Sequence, residues 1–234
     1  KMRHILVIGA GRSASSLIKY LLENSEKEIL HVTIGDLSEE LAKQKTNNHK
    51  NATAICFDIF NEAQRKAEIQ KADIVVSMLP AHLHLEVAKD CITYKKHMVT
   101  ASYISPAMQE LDAAAKENGL VFMNEIGLDP GIDHMSAMKV LDEIREKGGE
   151  IILFESFCGG LVAPESDTNL WNYKFTWNPR NVVLAGQGGV AKFIQEGTYK
   201  YIPYSKLFRR TEFLEVEGFG RFEAYANRDS LKYR

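Results

Sequence analysis

Residues 5–14 read Ile5-Leu6-Val7-Ile8-Gly9-Ala10-Gly11-Arg12-Ser13-Ala14. An unbroken apolar run of strand length, with no polar alternation, marks a strand buried on both faces. The glycine spacing that follows it matches G-x-G-x-x-G/A, the turn that joins the first strand of a dinucleotide-binding βαβ unit to its helix. Gly9 permits the tight turn and Gly11 removes the side chain that would block a pyrophosphate. Ala14 is small enough for the helix to pack on the strand. The helix that opens here directs unpaired N–H groups and a partial positive charge toward an anion. A tight strand-to-helix turn with no ligand is the plain alternative for the same glycines.

Working outward, apolar runs alternate with helical patterns, as in a parallel sheet covered on both faces. Leu17, Ile18, Leu21 and Leu22 have helical spacing, and further strands are expected at His31 to Ile34, Ala54 to Phe57 and Ile74 to Leu79, the last stopped by Pro80. Asn61, with Gln64 in capping-box register, starts a helix that runs to Gln70. Leu83 to Tyr94 is the next helix and Met98 to Ala101 the next strand. Ser105 as N-cap and Pro106 at the first helical position begin a helix ending at Asn118 and Gly119. Leu120 to Asn124 is a sixth strand, and Gly127, Pro130 and Gly131 then break regular structure.

The expected fold is therefore α/β: a Rossmann doubly wound parallel sheet over residues 1–126, with a second α+β substrate domain over 127–234. In the second region Ile132 to Lys147 reads as an amphipathic helix, and Ile151 to Cys158, Phe213 to Val216 and Phe222 to Tyr225 read as strands. These strands need a helix layer or a second sheet to cover them, and only Val190 to Glu196 offers one, so this domain is expected to be incomplete in the chain.

At 45% hydrophobic and 26% charged residues, the chain has the composition of a globular protein with a proper core. A net charge of −2 and a pI near 6.4 create no field that would draw in nucleic acid or anionic lipid. The aromatic and basic residues between Tyr199 and Tyr233 are offset by Glu212, Glu215, Glu217 and Glu223, so single-stranded nucleic acid is not expected. No apolar run reaches the roughly 20 residues that span a bilayer. Cys56, Cys91 and Cys158 are odd in number and widely spaced, which fits a reducing cytoplasm. His82 and His84 have no zinc-like spacing with cysteine or carboxylate and read as helix-start or cleft residues, so no metal is expected.

Asp36 ends the second strand, roughly 20 residues beyond the glycine turn, where a carboxylate hydrogen-bonds the adenosine ribose. Beside a 2′-phosphate it would cost on the order of 4 kcal/mol at 4 Å and an effective dielectric of 20. That exceeds the roughly 1.4 kcal/mol of a tenfold preference, so NAD is expected ahead of NADP. NADP remains possible through Arg12, whose guanidinium can receive a phosphate, and a solvated turn acid is the plainer reading of Asp36.

Two long stretches, Val99-Thr100-Ala101-Ser102-Tyr103-Ile104-Ser105-Pro106 and Asn124-Glu125-Ile126-Gly127-Leu128-Asp129-Pro130-Gly131-Ile132-Asp133-His134, resemble the L-glutamate-forming saccharopine dehydrogenase family. Cys158-Gly159-Gly160-Leu161, Pro164-Glu165-Ser166 and Asn227-Arg228-Asp229-Ser230 extend the resemblance over nearly the whole chain. It implies a dinucleotide-binding domain, a mixed-sheet substrate domain, and a chain continuing beyond this one. It also implies reversible oxidation of saccharopine: hydride leaves the carbon beside the secondary amine, and the imine is hydrolysed to L-glutamate and aminoadipate semialdehyde.

By position, the resemblance puts the pyrophosphate at Gly11, Arg12 and Ser13, beside the cofactor-site turn at Gly9. It puts the adenine end near Asp58 and Ile59, and Ser77, Met78 and Leu79 beside the cofactor. Substrate contacts fall on Ser102, Tyr103, Leu128, Asp129, Trp177 and Arg228. NADP-using fungal relatives carry a basic residue where this chain has Asp36.

Each assignment has a plainer rival. Saccharopine has three carboxylates, which suit a guanidinium fork at Arg228, but Arg228 also reads as part of a basic tail with Lys232 and Arg234. Asp129 and Tyr103 are the candidates for proton movement during imine hydrolysis, against a helix cap and a packing tyrosine. Trp177 reads as a wall of the site or as core, and Cys158 as a small buried hydrophobe rather than a catalyst. A homo-oligomer acting on a small amino-acid substrate is expected. The competing functions are a related reductase such as carboxynorspermidine dehydrogenase, and a non-catalytic dinucleotide-binding regulator.

Overall fold

The computed structural model describes residues 1–185, 189–226 and 229–231 of the chain. They fall into two compact units, Lys1–Met135 and Ser136–Arg234.

The first unit is built on a six-stranded parallel sheet. Its strands are β1 (Arg3–Ile8), β2 (Leu30–Asp36), β3 (Ala52–Cys56), β4 (Ile74–Ser77), β5 (His97–Thr100) and β6 (Phe122–Met123), in the order β3-β2-β1-β4-β5-β6. Strand order reverses between β1 and β4, the place where doubly wound sheets open a crevice at the carboxyl ends of their strands.

Both faces are covered, and β1 shows why. Ile5 and Val7 pack with Ile18 and Leu22 of α1 (Ser15–Glu23) and Ala42 of α2 (Glu39–Thr46). Leu6 and Ile8 point the other way, among Ile69 of α3 (Glu62–Lys71) and Val87, Ala88 and Cys91 of α4 (His84–Tyr94). The period of two along the strand thus feeds two cores, and each fully buried aliphatic side chain contributes about 1.5–3 kcal/mol. Between α3 and α4, Arg65 Nε donates to Asp90 Oδ2 at 2.6 Å in the interior, and Arg65 Nη1 donates to the Ile59 carbonyl at 2.7 Å.

The expected caps form. Asn61 accepts from Gln64 N at 3.1 Å, though the Gln64 side chain reaches back to Asp58 N instead of Asn61 N. Ser105 accepts from Met108 N at 3.1 Å, with Pro106 in the first turn. The single helix expected from there to Asn118 is instead two short ones, α5 (Pro106–Gln109) and α6 (Asp112–Glu117). Leu111 N bonds the carbonyl three residues back, Met108 O, which tightens the chain locally and ends the α-helical run.

The helix α7 (Ile132–Glu146) passes from the first unit into the second and stops at Gly148, where φ is +76°. The second unit also holds α8 (Pro179–Ala185) and two antiparallel hairpins, β7 (Val190–Gln195) with β8 (Thr198–Pro203) and β9 (Thr211–Val216) with β10 (Gly220–Tyr225). Of the two covers expected from Val190 to Glu196, a helix or a sheet, the stretch forms a strand, because Glu196 and Gly197 both take positive φ (50° and 71°) and fold it back on β8. Ile151 to Cys158 forms no strand among the described residues; an apolar run without a neighbouring ladder has nowhere to place its backbone hydrogen bonds. The β7–β8 hairpin packs Ala191 and Ile202 with Leu207, and the main chain at Asp229 and Ser230 lies along β7, Ser230 N donating to Lys192 O at 2.9 Å. Among the described residues no helix is long and apolar enough to cross a membrane.

Candidate active site

The turn after β1 is shaped by backbone that only glycine tolerates. Gly9 has φ +104°, and a Cβ there would lie 2.9 Å from the Met78 carbonyl oxygen. The turn is pinned on both sides: Gly9 N donates to Gly35 O at 2.7 Å and Ala10 N to Asp36 Oδ2 at 2.8 Å. Gly11 is different, since a Cβ added there would meet nothing within 4 Å. The space over Gly11 is open, and no side chain caps the helical turn that Gly11 begins, Arg12–Ala14, before α1. Open, uncapped backbone at a helix start is where a pyrophosphate fits, so these residues suit a dinucleotide.

Asp36 is engaged on both oxygens. Besides Ala10 N, it takes Ser38 N on Oδ1 at 3.0 Å. Its carboxylate therefore braces the glycine turn, and each oxygen retains one lone-pair direction for another donor.

On the far side of the crevice the ends of β4 and β5 carry a buried polar network. His84, at the start of α4, has Nδ1 2.8 Å from Ser77 Oγ. Its Nε2 is 2.7 Å from Ser102 Oγ and 3.2 Å from Thr100 Oγ1. Ser77, Thr100 and His84 are all buried. Burial pushes the His84 imidazole down to about 4, with a further push from the charge of His82, so the ring is neutral near pH 7. Sequence reasoning placed Ser77 beside a cofactor and Ser102 beside a substrate, but gave His84 no partner, reading it as a helix-start or cleft residue. The spacing of a serine strand end and a histidine seven residues on was the available signal.

Tyr103 and Asp129 come together: Tyr103 Oη donates to Asp129 Oδ1 at 2.8 Å. Asp129 sits in the turn Gly127–Gly131, closed by Gly127 N to Pro130 O at 2.9 Å and Ile132 N to Gly127 O at 3.0 Å. A Cβ on Gly131, whose φ is +152°, would fall 2.1 Å from Gly127 O, so no other residue fits. The helix start is served by Asp133, whose Oδ1 accepts from Gly131 N at 2.8 Å. Glu125, also in this segment, accepts from Ile104 N at 3.0 Å and ties the two stretches together. Leu128 is 65% exposed beside Asp129.

The remaining assignments scatter. Asp58 accepts from Phe60 N at 2.9 Å at the end of β3, while the Ile59 side chain is part of the core. Ser13 is exposed on the first turn, and Met78 and Leu79 follow β4, Met78 N donating to Ile8 O at 2.8 Å. Trp177 belongs to the second unit, 43% exposed in irregular chain, and Cys158 is exposed and in no disulfide, not the buried residue expected. Arg228 lies outside the described residues. Among the described residues no cluster of His, Cys, Asp or Glu could hold a metal ion.

Comparison with known proteins adds to this geometry. A family model described as the saccharopine dehydrogenase NADP binding domain matches residues 5–123, and one described as the saccharopine dehydrogenase C-terminal domain matches residues 127–234. The chain is 40% identical over 233 residues to the NADP-dependent, L-glutamate-forming saccharopine dehydrogenase of Pyricularia oryzae, covering 99% of this chain and 50% of that protein. It is 34% identical to the alpha-aminoadipic semialdehyde synthase of Arabidopsis thaliana, covering 100% of this chain and 24% of that protein. The apo saccharopine dehydrogenase (L-Glu forming) structure from Saccharomyces cerevisiae superposes with a TM-score of 0.87 at 35% identity, over 97% of this chain and 50% of that one. The chain thus spans about half the length of the fungal relatives it matches.

Proposed function

We propose that this chain, which belongs to the saccharopine dehydrogenase family, takes part in the oxidation of saccharopine at its secondary amine with a nicotinamide dinucleotide, giving L-glutamate and aminoadipate semialdehyde. Residues 1–126 are assigned to dinucleotide binding and 127–234 to the substrate domain. The observation that carries the reading is one sheet edge: the open backbone at Gly11 follows β1, while Ser102 and the Tyr103–Asp129 pair follow β5.

When bound, the dinucleotide supplies the hydride acceptor. Gly9, Gly11, Arg12 and Ser13 hold its pyrophosphate, Asp36, Asp58 and Ile59 its adenosine end, and Ser77 to Leu79 flank the nicotinamide. The protein's own part is proton handling and anchoring. Loss of hydride from the carbon beside the nitrogen leaves an iminium ion, and water addition followed by C–N cleavage requires a proton taken from water and one given to the departing amine. The Asp129 carboxylate accepts and returns that proton, with the Tyr103 hydroxyl orienting it. Ser102, Leu128, Trp177 and Arg228 hold the substrate; for Trp177 and Arg228 the support is the sequence resemblance alone.

The form of the dinucleotide is a finer question. The matched domain and the fungal relatives are named for NADP, which weighs against the NAD-first ordering drawn from Asp36. We assign NADP as a substrate, with the fixed Asp36 carboxylate keeping NAD competitive. A homo-oligomer in a reducing cytoplasm completes the proposal, supported in the second respect by three cysteines that form no disulfide with one another.

The test is nicotinamide absorbance during incubation of the intact protein with saccharopine and each dinucleotide. Turnover with either supports the reading, and none with both removes it.

A further inference from the structure

The His84 network contains one arrangement that the functional reading does not use. A neutral imidazole has one donor and one acceptor nitrogen, so its two ring neighbours must differ in polarity. Among the described residues Nδ1 has one hydrogen-bond partner, Ser77 Oγ at 2.8 Å, at a residue that is 1% exposed. A buried hydroxyl hydrogen needs an acceptor, and Nδ1 lies within hydrogen-bond reach of the Ser77 hydroxyl. Nε2 faces two hydroxyl oxygens, Ser102 at 2.7 Å and Thr100 at 3.2 Å, both able to accept from one N–H. Thr100 Oγ1 also approaches Ser102 N at 3.4 Å, so the Ser102 backbone is held on the same anchor.

We propose that His84 is a positioning residue that sets the polarity of Ser102: Nε2–H donates to Ser102 Oγ, Nδ1 accepts from the Ser77 hydroxyl, and the Ser102 O–H is turned outward to donate to a substrate carboxylate. This rests on the functional reading above, which places Ser102 against a tricarboxylate. With the opposite tautomer, Ser102 would spend its proton on Nε2 and meet the carboxylate with lone pairs, a repulsive contact. Burial keeps the ring neutral, so only the tautomer is left to be decided.

Two measurements test it on the intact protein. Long-range nitrogen–proton NMR of the His84 ring should give the neutral Nε2–H pattern, and an Nδ1–H pattern overturns the proposal whatever the enzyme turns over. In kinetics, His84→Leu should raise KM for saccharopine about tenfold, with the dinucleotide Kd from fluorescence titration within about threefold of wild type. His84→Gln, whose amide N–H stands where Nε2–H stood, should restore KM to within about threefold. Ser102→Ala, which leaves the ring in place, should reproduce the KM rise, and combining it with His84→Leu should add little. Equal damage from Gln and Leu, or an unchanged KM in Ser102→Ala, refutes the assignment. Absence of turnover in the wild type would instead sink the functional reading, leaving the ring spectrum to judge His84.

Discussion

The Tyr103 hydroxyl and the Asp129 carboxylate meet at 2.8 Å although 26 residues separate them in the chain. Each arrives by a different constraint. Tyr103 follows β5 by three residues, and Asp129 is presented by a turn whose closure admits only glycine at position 131. Both side chains remain exposed, with Tyr103 at 46%. A hydrogen bond in that setting contributes at most about 1 kcal/mol to stability, so a fixed and open pair is better explained by chemistry than by folding.

Tyr103→Phe should therefore separate the two. Its thermal midpoint should stay within about 3 °C of wild type, while kcat/KM for saccharopine falls roughly 10- to 100-fold, equivalent to about 1.4–2.7 kcal/mol of transition-state stabilisation. Differential scanning fluorimetry and steady-state kinetics together check this. An unaltered kcat/KM would leave the pair a surface contact.

The two glycines at positions 11 and 131 predict opposite behaviour for the same substitution. Gly131→Ala drives a Cβ to 2.1 Å from Gly127 O, which the backbone must move to relieve, so a loss of several kcal/mol and a midpoint lowered by about 10 °C are expected. Gly11→Ala meets no atom within 4 Å and should leave the unliganded midpoint in place. It should nonetheless weaken dinucleotide binding at least about tenfold, because the methyl occupies the space a pyrophosphate would fill. Equal affinities for wild type and Gly11→Ala in a fluorescence titration would move the cofactor elsewhere.

How much of this was legible beforehand follows from the range of the interactions. The apolar run of β1, the glycine turn and the caps at Asn61 and Ser105 are decided within a few residues, and the chain states them directly. The Val190 to Glu196 stretch was left between helix and sheet because a short apolar segment has no period of its own, and its partner β8 was not anticipated. His84 was passed over for a different reason. Its partners end β4 and follow β5, and only the parallel pairing of those strands brings Ser77 and Thr100 side by side. The residue type of Asp36 was read correctly at the end of β2, but its two backbone donors, one of them 26 residues away, were invisible in one dimension.

That bracing role makes Asp36 a residue with two separable effects. Asp36→Ala removes the acceptor for Ala10 N, at a fully buried residue, and should cost about 1–3 kcal/mol. Asp36→Asn keeps one acceptor oxygen, which can still take the buried Ala10 N, and loses the charge together with the acceptor that faces Ser38 N. It should preserve most of the stability while shifting the NADP to NAD ratio of kcat/KM toward NADP by about fivefold or more. A ratio unmoved by the Asn change would show that the carboxylate does not face the adenosine 2′ position.

The depressed His84 titration gives the protein a signed dependence on acid. The ring is held at about 4 when folded, chiefly by burial, against 6.5 for the free side chain. Between those values the unfolded chain binds a proton that the native state refuses, so unfolding free energy rises with pH across the window and falls as acid is added. Stability from this group is intact above about pH 6.5 and is lost progressively down to about pH 4, the full effect being on the order of 3 kcal/mol. His31 is lowered too, by partial burial and then by the charge of His4, so the wild type alone would not isolate His84. The comparison with His84→Gln does, since the amide keeps hydrogen-bonding capacity and cannot titrate. Urea unfolding at intervals from pH 4 to pH 8 should give a steeper wild-type curve, the two converging toward the acid end by about one proton's worth of slope. Parallel curves would mean that His84 takes up its proton without leaving its place between Ser77 and Ser102.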